Sequence, residues 1–520
     1  MFNFPMLSAH APLDFVVNFP LFSIILAFVG VVICSLVNNK IARLVTLLIE
    51  GIVAVLNLIL MFYMLKHKGY IDFAMGHFGA PIGNAIRIGT LEALLTCVFS
   101  LVMIGAVLGG DKHLKRDIPE QKLHFFYVLF NLILVALTAL IYTNDIFTGY
   151  VFLEIATLAS IGITMIRDQG RSTIAAVRYM IFNLVGSGLF LIGIVVLYDL
   201  TGYLSIENIA TAVTKIAQIK ELQIPLYISF GLVITGLSIK SGLFPFHFWM
   251  PDAYGGATPT SSSILSGIVT KGYLFLLIKV IYRMFTIEVL RQTHILETLF
   301  VLGVLGMIVG SFNAINQKSI DRMTAFSSAA QIGYIFMGIG LSCYIGINNA
   351  KNLAFIAFVF HILTHCVTKS LLFISTGGLV KSAGGAKKFR NLRGIGRVDK
   401  LSAATYSVGA LSMIGFPLFA GFISKYFFVS ASLEITIPTW MKVFAILALI
   451  ISTVLNAIYF VRTMLTIYLR KEEDNTFVSE VKYKPTYVIG VLSLSAINIF
   501  LGVGSTLIVD IINKGFHLFV

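Results

Sequence analysis

Fourteen stretches of about twenty apolar residues follow one another along this 520-residue chain, and that repetition leaves few folds open. A helix rises about 1.5 Å per residue, so each stretch is long enough to cross a bilayer. Within hydrocarbon every backbone N–H and C=O must be bonded inside the protein, which leaves helices or closed barrels. Runs of this length, apolar on all sides and without period-two alternation, are helical. The expected fold class is an all-α polytopic membrane protein with about 14 transmembrane helices. A hydrophobic share of 58% against 12% charged residues sets the chain apart from soluble globular proteins. Residues 1–19 hold no Lys or Arg, so a cleavable signal peptide is not expected and the first helix itself directs insertion.

The net charge of +14 invites a nucleic-acid reading, and the placement of the charges argues against it. Connections after odd-numbered segments carry 22 Lys and Arg, and those after even-numbered segments carry 9. By the positive-inside rule the first set lies in the cytoplasm, which puts both termini outside the cell membrane and makes the basic excess a matter of topology. Connection 381–400, rich in Gly, Lys and Arg, is the expected docking loop for other subunits, although a positive-inside loop has the same composition. In connection 199–223, Ile206, Ile209, Val213 and Ile216 recur at helical spacing, so a short amphipathic helix packed on the bundle is expected. Cys34, Cys97, Cys343 and Cys366 stand singly, without the C-x-x-C spacing of an iron–sulfur or zinc site. Any redox centre is therefore expected in partner subunits, with no cofactor in this chain.

Against this apolar background six basic residues fall inside the segments: Lys240, Lys271, Lys279, Lys369, Lys425 and Arg462. A charge in hydrocarbon is costly, so it faces a bundle interior or a hydrated path, or else its long stem lifts it to the headgroups. Lys279 and Arg462 lie near segment ends and are expected to snorkel. Lys240 and Lys271 sit deeper, in segments 224–246 and 258–282. Gly242 and Pro245 beside Lys240 indicate a discontinuous helix, because proline removes a backbone donor and clashes with the preceding turn. Segment 401–431 repeats the theme in Gly415-Phe-Pro-Leu-Phe-Ala-Gly-Phe-Ile-Ser-Lys425. Two interrupted segments five apart run in opposite directions, as an inverted repeat of two five-helix units would produce.

Glu154, central in segment 145–166, has no basic residue within a helical turn, and a buried carboxylate needs either a proton or a partner. Lys240 is the expected partner. Such a pair can switch: desolvation favours release of the lysine proton and a nearby carboxylate favours its retention. In segment 353–380, His361, His365 and Lys369 follow at four-residue steps and share one helical stripe, with Thr364 and Thr368 beside it. Two histidines a turn apart, followed by a lysine, suit proton relay. A metal site there is not expected, since no carboxylate or cysteine accompanies them on the stripe.

At these residues the chain resembles the antiporter-like subunits shared by respiratory complex I, Mrp-type sodium/proton antiporters and membrane-bound nickel–iron hydrogenases. The resemblance covers about residues 120 to 470. It rests on Phe152-Leu-Glu154, Lys240-Ser-Gly-Leu-Phe-Pro-Phe-His-Phe-Trp-Met-Pro-Asp-Ala253, Pro259-Thr-Ser-Ser-Ser263 with Lys271, His361-x-x-x-His365-x-x-x-Lys369-Ser-Leu-Leu-Phe373 and Gly421-Phe-x-Ser-Lys425.

The resemblance implies three N-terminal helices in 1–120, inverted five-helix repeats in 121–283 and 284–470, and a last helix in 471–520. It implies that Glu154 and Lys240 form a modulating ion pair, that Lys271, His361 and His365 belong to a central hydrophilic axis, and that Lys425 is the terminal lysine of the second half. Some members carry glutamate at that position, so this chain resembles the lysine-bearing branch. No long lateral helix follows the last segment, which argues against the distal, largest subunit. The expected function is proton translocation within a redox-driven complex of hydrogenase or complex I type. Protons would move from Lys240 through Lys271 and the His361/His365/Lys369 stripe to Lys425. A subunit of an Mrp-type antiporter is the alternative, and an organic-acid symporter with Lys240 binding a substrate carboxylate is a remote one.

Overall fold

The computed structural model describes residues 15–67, 69–74, 84–342, 344, 352–433, 437–469 and 481–519. Two long helices, α1 (Phe19–Leu36) and α2 (Asn39–His67), lead into an antiparallel hairpin of β1 (Ile71–Ala74) and β2 (Ala85–Ile88), paired from Ile71↔Ile88 to Ala74↔Ala85. Next come α3 (Thr90–Asp117), α4 (Leu123–Tyr142), α5 (Ile146–Met165), α6 (Gly170–Thr201), the short α7 (Ile206–Ile216), α8 (Lys220–Ser241) and α9 (Trp249–Gly256). The helical run Pro259–Met284, here α10, is followed by α11 (Ile295–Ile315), α12 (Ile320–Ser342) and α13 (Leu353–Ser382). The order ends with α14 (Lys400–Ile414), α15 (Ala420–Ser432), α16 (Thr439–Tyr468), α17 (Pro485–Val503) and α18 (Ser505–Phe519).

Among the described residues, thirteen helices are long and apolar enough to span a membrane. The remaining expected segment, 401–431, is divided between α14 and α15, each too short to cross alone. Both interrupted segments end their first half in the same way. Gly242 and Gly415 take left-handed backbone, with φ of 79° and 93°, where a side chain would be strained. The next residue then bonds back across the turn, Leu243 N–H to Ser238 O and Phe416 N–H to Leu411 O, each at 3.0 Å. Lys240 thus falls in the last turn before one break and Lys425 in the second turn after the other.

Small residues decide which helices touch. A Cβ on Gly236 of α8 would lie 2.6 Å from the Gly186 carbonyl oxygen of α6, and one on Gly333 of α12 would lie 2.5 Å from the Met307 nitrogen of α11. With no hydrophobic drive between helices in lipid, backbone approach of this kind supplies the dispersion contact. The centre of the bundle is α10, α12 and α13, whose side chains are buried almost throughout. Outer positions of α6 and α16, such as Leu184 and Ile450, face outward.

One face of the bundle is closed by the hairpin, by α7 and by α18. In α7, Ile206, Ile209, Val213 and Ile216 are buried, the packed arrangement its periodicity predicts. The last expected segment, 485–512, stops at Val503, and α18 follows as a separate amphipathic helix with Phe516 packed on Phe355 at 4.7 Å between ring centres. The connection 381–400 is not a free loop: Lys387 pairs with Asp321 at 2.5 Å and Arg397 donates to the Tyr468 carbonyl at 3.1 Å.

Candidate functional site: a chain of buried lysines and histidines

Glu154 and Lys240 meet across α5 and α8. Lys240 is fully buried, and its Nζ donates to Glu154 Oε1 at 2.9 Å and to Thr157 Oγ1 at 3.0 Å. Ser187 of α6 donates to the same carboxylate oxygen. The pair is asymmetric, since the Glu154 side chain keeps 26% exposure while the ammonium keeps none. Tyr273 of α10 closes the other side: its hydroxyl lies 3.0 Å from Thr157 Oγ1, and its ring centre is 5.8 Å from Lys240 Nζ.

Lys271, two residues earlier in α10, has no carboxylate partner among the described residues. Its Nζ donates to the Ser266 carbonyl and to Thr270 Oγ1, the latter at 3.1 Å. The Ser266 carbonyl is reached inside a π-helical turn, Leu265–Val269, where the regular bonding ladder is shifted by one residue. The Ser266 hydroxyl in turn lies 2.8 Å from Ser328 Oγ of α12. The residues just before this turn lie against α13: Ser370 Oγ donates to the Ser263 carbonyl at 3.1 Å.

On α13 the predicted stripe is buried as a unit. His361 Nδ1 lies 3.1 Å from Ser424 Oγ of α15, and the two imidazoles are 6.1 Å apart between ring centres. Neither ring nitrogen of His365 has a hydrogen-bond partner among the described residues. Lys271 and Lys369 are the charged neighbours of His365, and Lys425 joins them around His361. Lys369 Nζ donates to Ser327 Oγ and, at 3.1 Å, to the Thr324 carbonyl. Lys425 Nζ donates to the Ile414 carbonyl at 2.7 Å, across the break it follows, and to Thr453 Oγ1 at 3.2 Å.

The element that joins these groups is α12, a span with no charge in its interior to single it out. Thr324, Ser327, Ser328, Gln331 and Tyr334 form one face of it. Through this face Lys369, Ser266, His361 and Lys425 are linked: Tyr334 stacks on His361 at 5.4 Å between ring centres and stands 5.8 Å from Lys425 Nζ. The signal was present as polar residues three and four apart in the span of lowest mean hydropathy, 1.2.

Lys279 corrects an expectation. It does not snorkel: it is fully buried, and its Nζ donates to the carbonyls of Leu140, Ile141 and Thr143, at 3.4 Å to Leu140 and 2.9 Å to Thr143. These carbonyls end α4, where the helix dipole is negative and the last carbonyls lack partners within the helix. One turn on, Arg283 pairs with buried Glu92 of α3 at 3.0 Å, and Phe519 of α18 covers the guanidinium at 4.0 Å. The hairpin contributes Arg87, bonded to Asp72 at 2.8 Å and paired with Glu207 of α7. Arg462 behaves as its position near a segment end predicts, exposed and bonded to the Ile315 carbonyl at 2.8 Å.

Residues 143–455 match the family described as NADH:quinone oxidoreductase/Mrp antiporter, TM. A relative named NADH-quinone oxidoreductase subunit N, from Desulforudis audaxviator, is 31% identical over 75% of this chain and 74% of its own length. Two solved structures share the fold. One comes from the membrane-bound sulfane sulfur reductase, described as an archaeal respiratory membrane complex (24% identity, TM-score 0.83, 97% of each chain). The other comes from the Mrp complex of Dietzia sp. DQ12-45-1b (20% identity, TM-score 0.82, 96% of each chain). The matched region holds every residue of the array from Glu154 to Lys425, and the chain is a multi-pass, antiporter-like membrane subunit that belongs to the NADH:quinone oxidoreductase/Mrp antiporter transmembrane family.

Proposed function

We propose that this chain translocates protons as one subunit of a larger, redox-driven membrane complex. The observation that carries the reading is the placement of buried Lys240, Lys271, His361, His365 and Lys369 and part-buried Lys425 along α8, α10, α13 and α15, with Ser327 of α12 bonded to Lys369, Ser328 to Ser266 and Tyr334 stacked on His361. Unlike a sodium site, which would gather carboxylates and carbonyls around one point, this array is basic and drawn out. Each group can hold a proton and hand it on, and the unpaired nitrogens of His365 are polar atoms that water would satisfy.

Glu154 sets the state of Lys240. With the carboxylate at 2.9 Å the ammonium is favoured, and with the carboxylate withdrawn toward its partly open side the buried amine gives up its proton to the array. The two interrupted segments, closed by the same glycine turn, support a reading of two related five-helix units, 121–283 and 284–470, with Lys240 in the first and Lys425 in the second. The asymmetry of Lys and Arg supports an orientation with connection 381–400 in the cytoplasm and both termini outside the cell membrane. Electron transfer, and any iron–sulfur or nickel–iron centre that performs it, belongs to partner subunits.

The similarity to a quinone oxidoreductase subunit favours a redox-driven assembly. The fold is equally that of an Mrp subunit, and exchange of sodium for protons is the second reading. The complex purified with its native partners and reconstituted in liposomes separates them. Lumen acidification that starts only when an electron donor and acceptor are supplied supports the redox reading. Sodium release driven by an imposed proton gradient, without electron transfer, establishes the exchanger. Sidedness-dependent uptake of an organic acid by the chain alone would overturn both.

A further inference from the structure

On the Lys- and Arg-rich face of the bundle, a cavity of about 1070 Å³ opens between the α5–α6 connection and α9 on one side and the α11–α12 connection with residues 385–391 on the other. Eight basic side chains line it against two aspartates. Both aspartates are already engaged. Asp252 pairs with Arg178 and, at 3.4 Å, with Arg322, while Asp321 pairs with Lys387. Arg167 is turned to Asp117 at 3.7 Å. Arg171, Lys318, Lys388 and Arg390 remain, with no acidic partner among the described residues. Topology alone asks only that basic residues lie on this face, not that they surround one hollow. The N-terminal residues of α6 and α12 also line the cavity, and the positive ends of the two helix dipoles favour negative charge there.

We propose that this cavity holds the phosphate of an anionic phospholipid. The choice of a lipid over a soluble phosphate rests on what adjoins it. Ile174, in the cavity wall between Arg171 and Arg178, is 59% exposed, and the same side of α6 continues as Val177, Ile181 and Leu184, at 44%, 54% and 68%. A headgroup seated among the arginines therefore leaves its acyl chains on an apolar stripe exposed along the outside of α6. Basic pockets at the ends of membrane helices recognise lipid phosphates in this way. Because the wall is shared by segments before and after residue 284, the bound lipid ties the two halves of the chain on this face.

The test uses the purified complex, delipidated and offered dioleoylphosphatidylglycerol, dioleoylphosphatidylcholine or inorganic phosphate, with retained lipid read by native mass spectrometry. The native protein should retain phosphatidylglycerol in preference to phosphatidylcholine. The triple variant Arg171→Gln/Lys318→Gln/Arg390→Gln should lose about tenfold or more of that retention. Arg171→Lys/Lys318→Arg/Arg390→Lys, which keeps the charge, should retain it, and this separates lost recognition from lost folding. Equal retention by the Gln variant, or no preference between the two lipids, overturns the proposal. Competition by inorganic phosphate at concentrations that leave the lipid's other contacts intact assigns the cavity to a soluble anion and overturns the lipid.

Discussion

Tyr334 stands between His361 and Lys425, its ring stacked on the imidazole and 5.8 Å from the lysine Nζ, so that α12 bridges the histidine stripe to the last lysine of the array. A ring in this position contributes about 0.5–2 kcal/mol to the groups it contacts. Tyr334→Leu should lower proton transport severalfold in inverted vesicles, while Tyr334→Phe, which keeps the ring, should stay close to native. Native transport in Tyr334→Leu would remove this residue from the path.

Glu154→Gln keeps the volume beside Lys240 and removes the charge. Coupled transport should fall about tenfold or more, the scale of one charge-assisted hydrogen bond of roughly 1.5–3 kcal/mol, with the complex still assembled. Glu154→Asp should be milder. Acridine-dye quenching in vesicles, normalised to assembled complex, measures both, and unchanged transport in Glu154→Gln would reduce the pair to a structural contact.

Lys279→Ala should destabilise the chain. The substitution leaves the Leu140, Ile141 and Thr143 carbonyls without their donor, at a cost of about 1–3 kcal/mol. A lowered melting temperature in detergent is the expected readout. A snorkelling lysine would give none.

Gly333→Ala tests the α11–α12 contact. The added Cβ would lie 2.5 Å from the Met307 nitrogen and 2.6 Å from the Gly303 carbonyl, both backbone atoms that cannot turn aside. Separating the helices should cost about 1–3 kcal/mol and lower the melting temperature. Gly188→Ala, which meets nothing within 4 Å, is the control that should leave it unchanged.

The lysines were legible in the sequence because a charge in an apolar run is costly enough to demand a reason, and the helix breaks because glycine and proline have few other uses there. Pairing of Glu154 with Lys240 followed from the same cost. The face of α12 was harder to see: Thr324, Ser327 and Ser328 return their hydroxyls to carbonyls of their own helix, so they sit in apolar surroundings without penalty and leave only a weak spacing signal. Lys279 departs from its expectation because nearness to a segment end is not access to water. The end of α10 is covered by the hairpin, α7 and α18, whose contacts are long-range and have no local signature.

In the proposed path Lys271 is the group that joins the two halves of the array, on a helix buried along almost its whole length. The most direct test is therefore proton transport by the assembled complex carrying Lys271→Ala, with the redox turnover of its partners followed in the same vesicles. Transport should be abolished while redox turnover continues in part, uncoupled from it. Proton transport at the native ratio to turnover would contradict the lateral path.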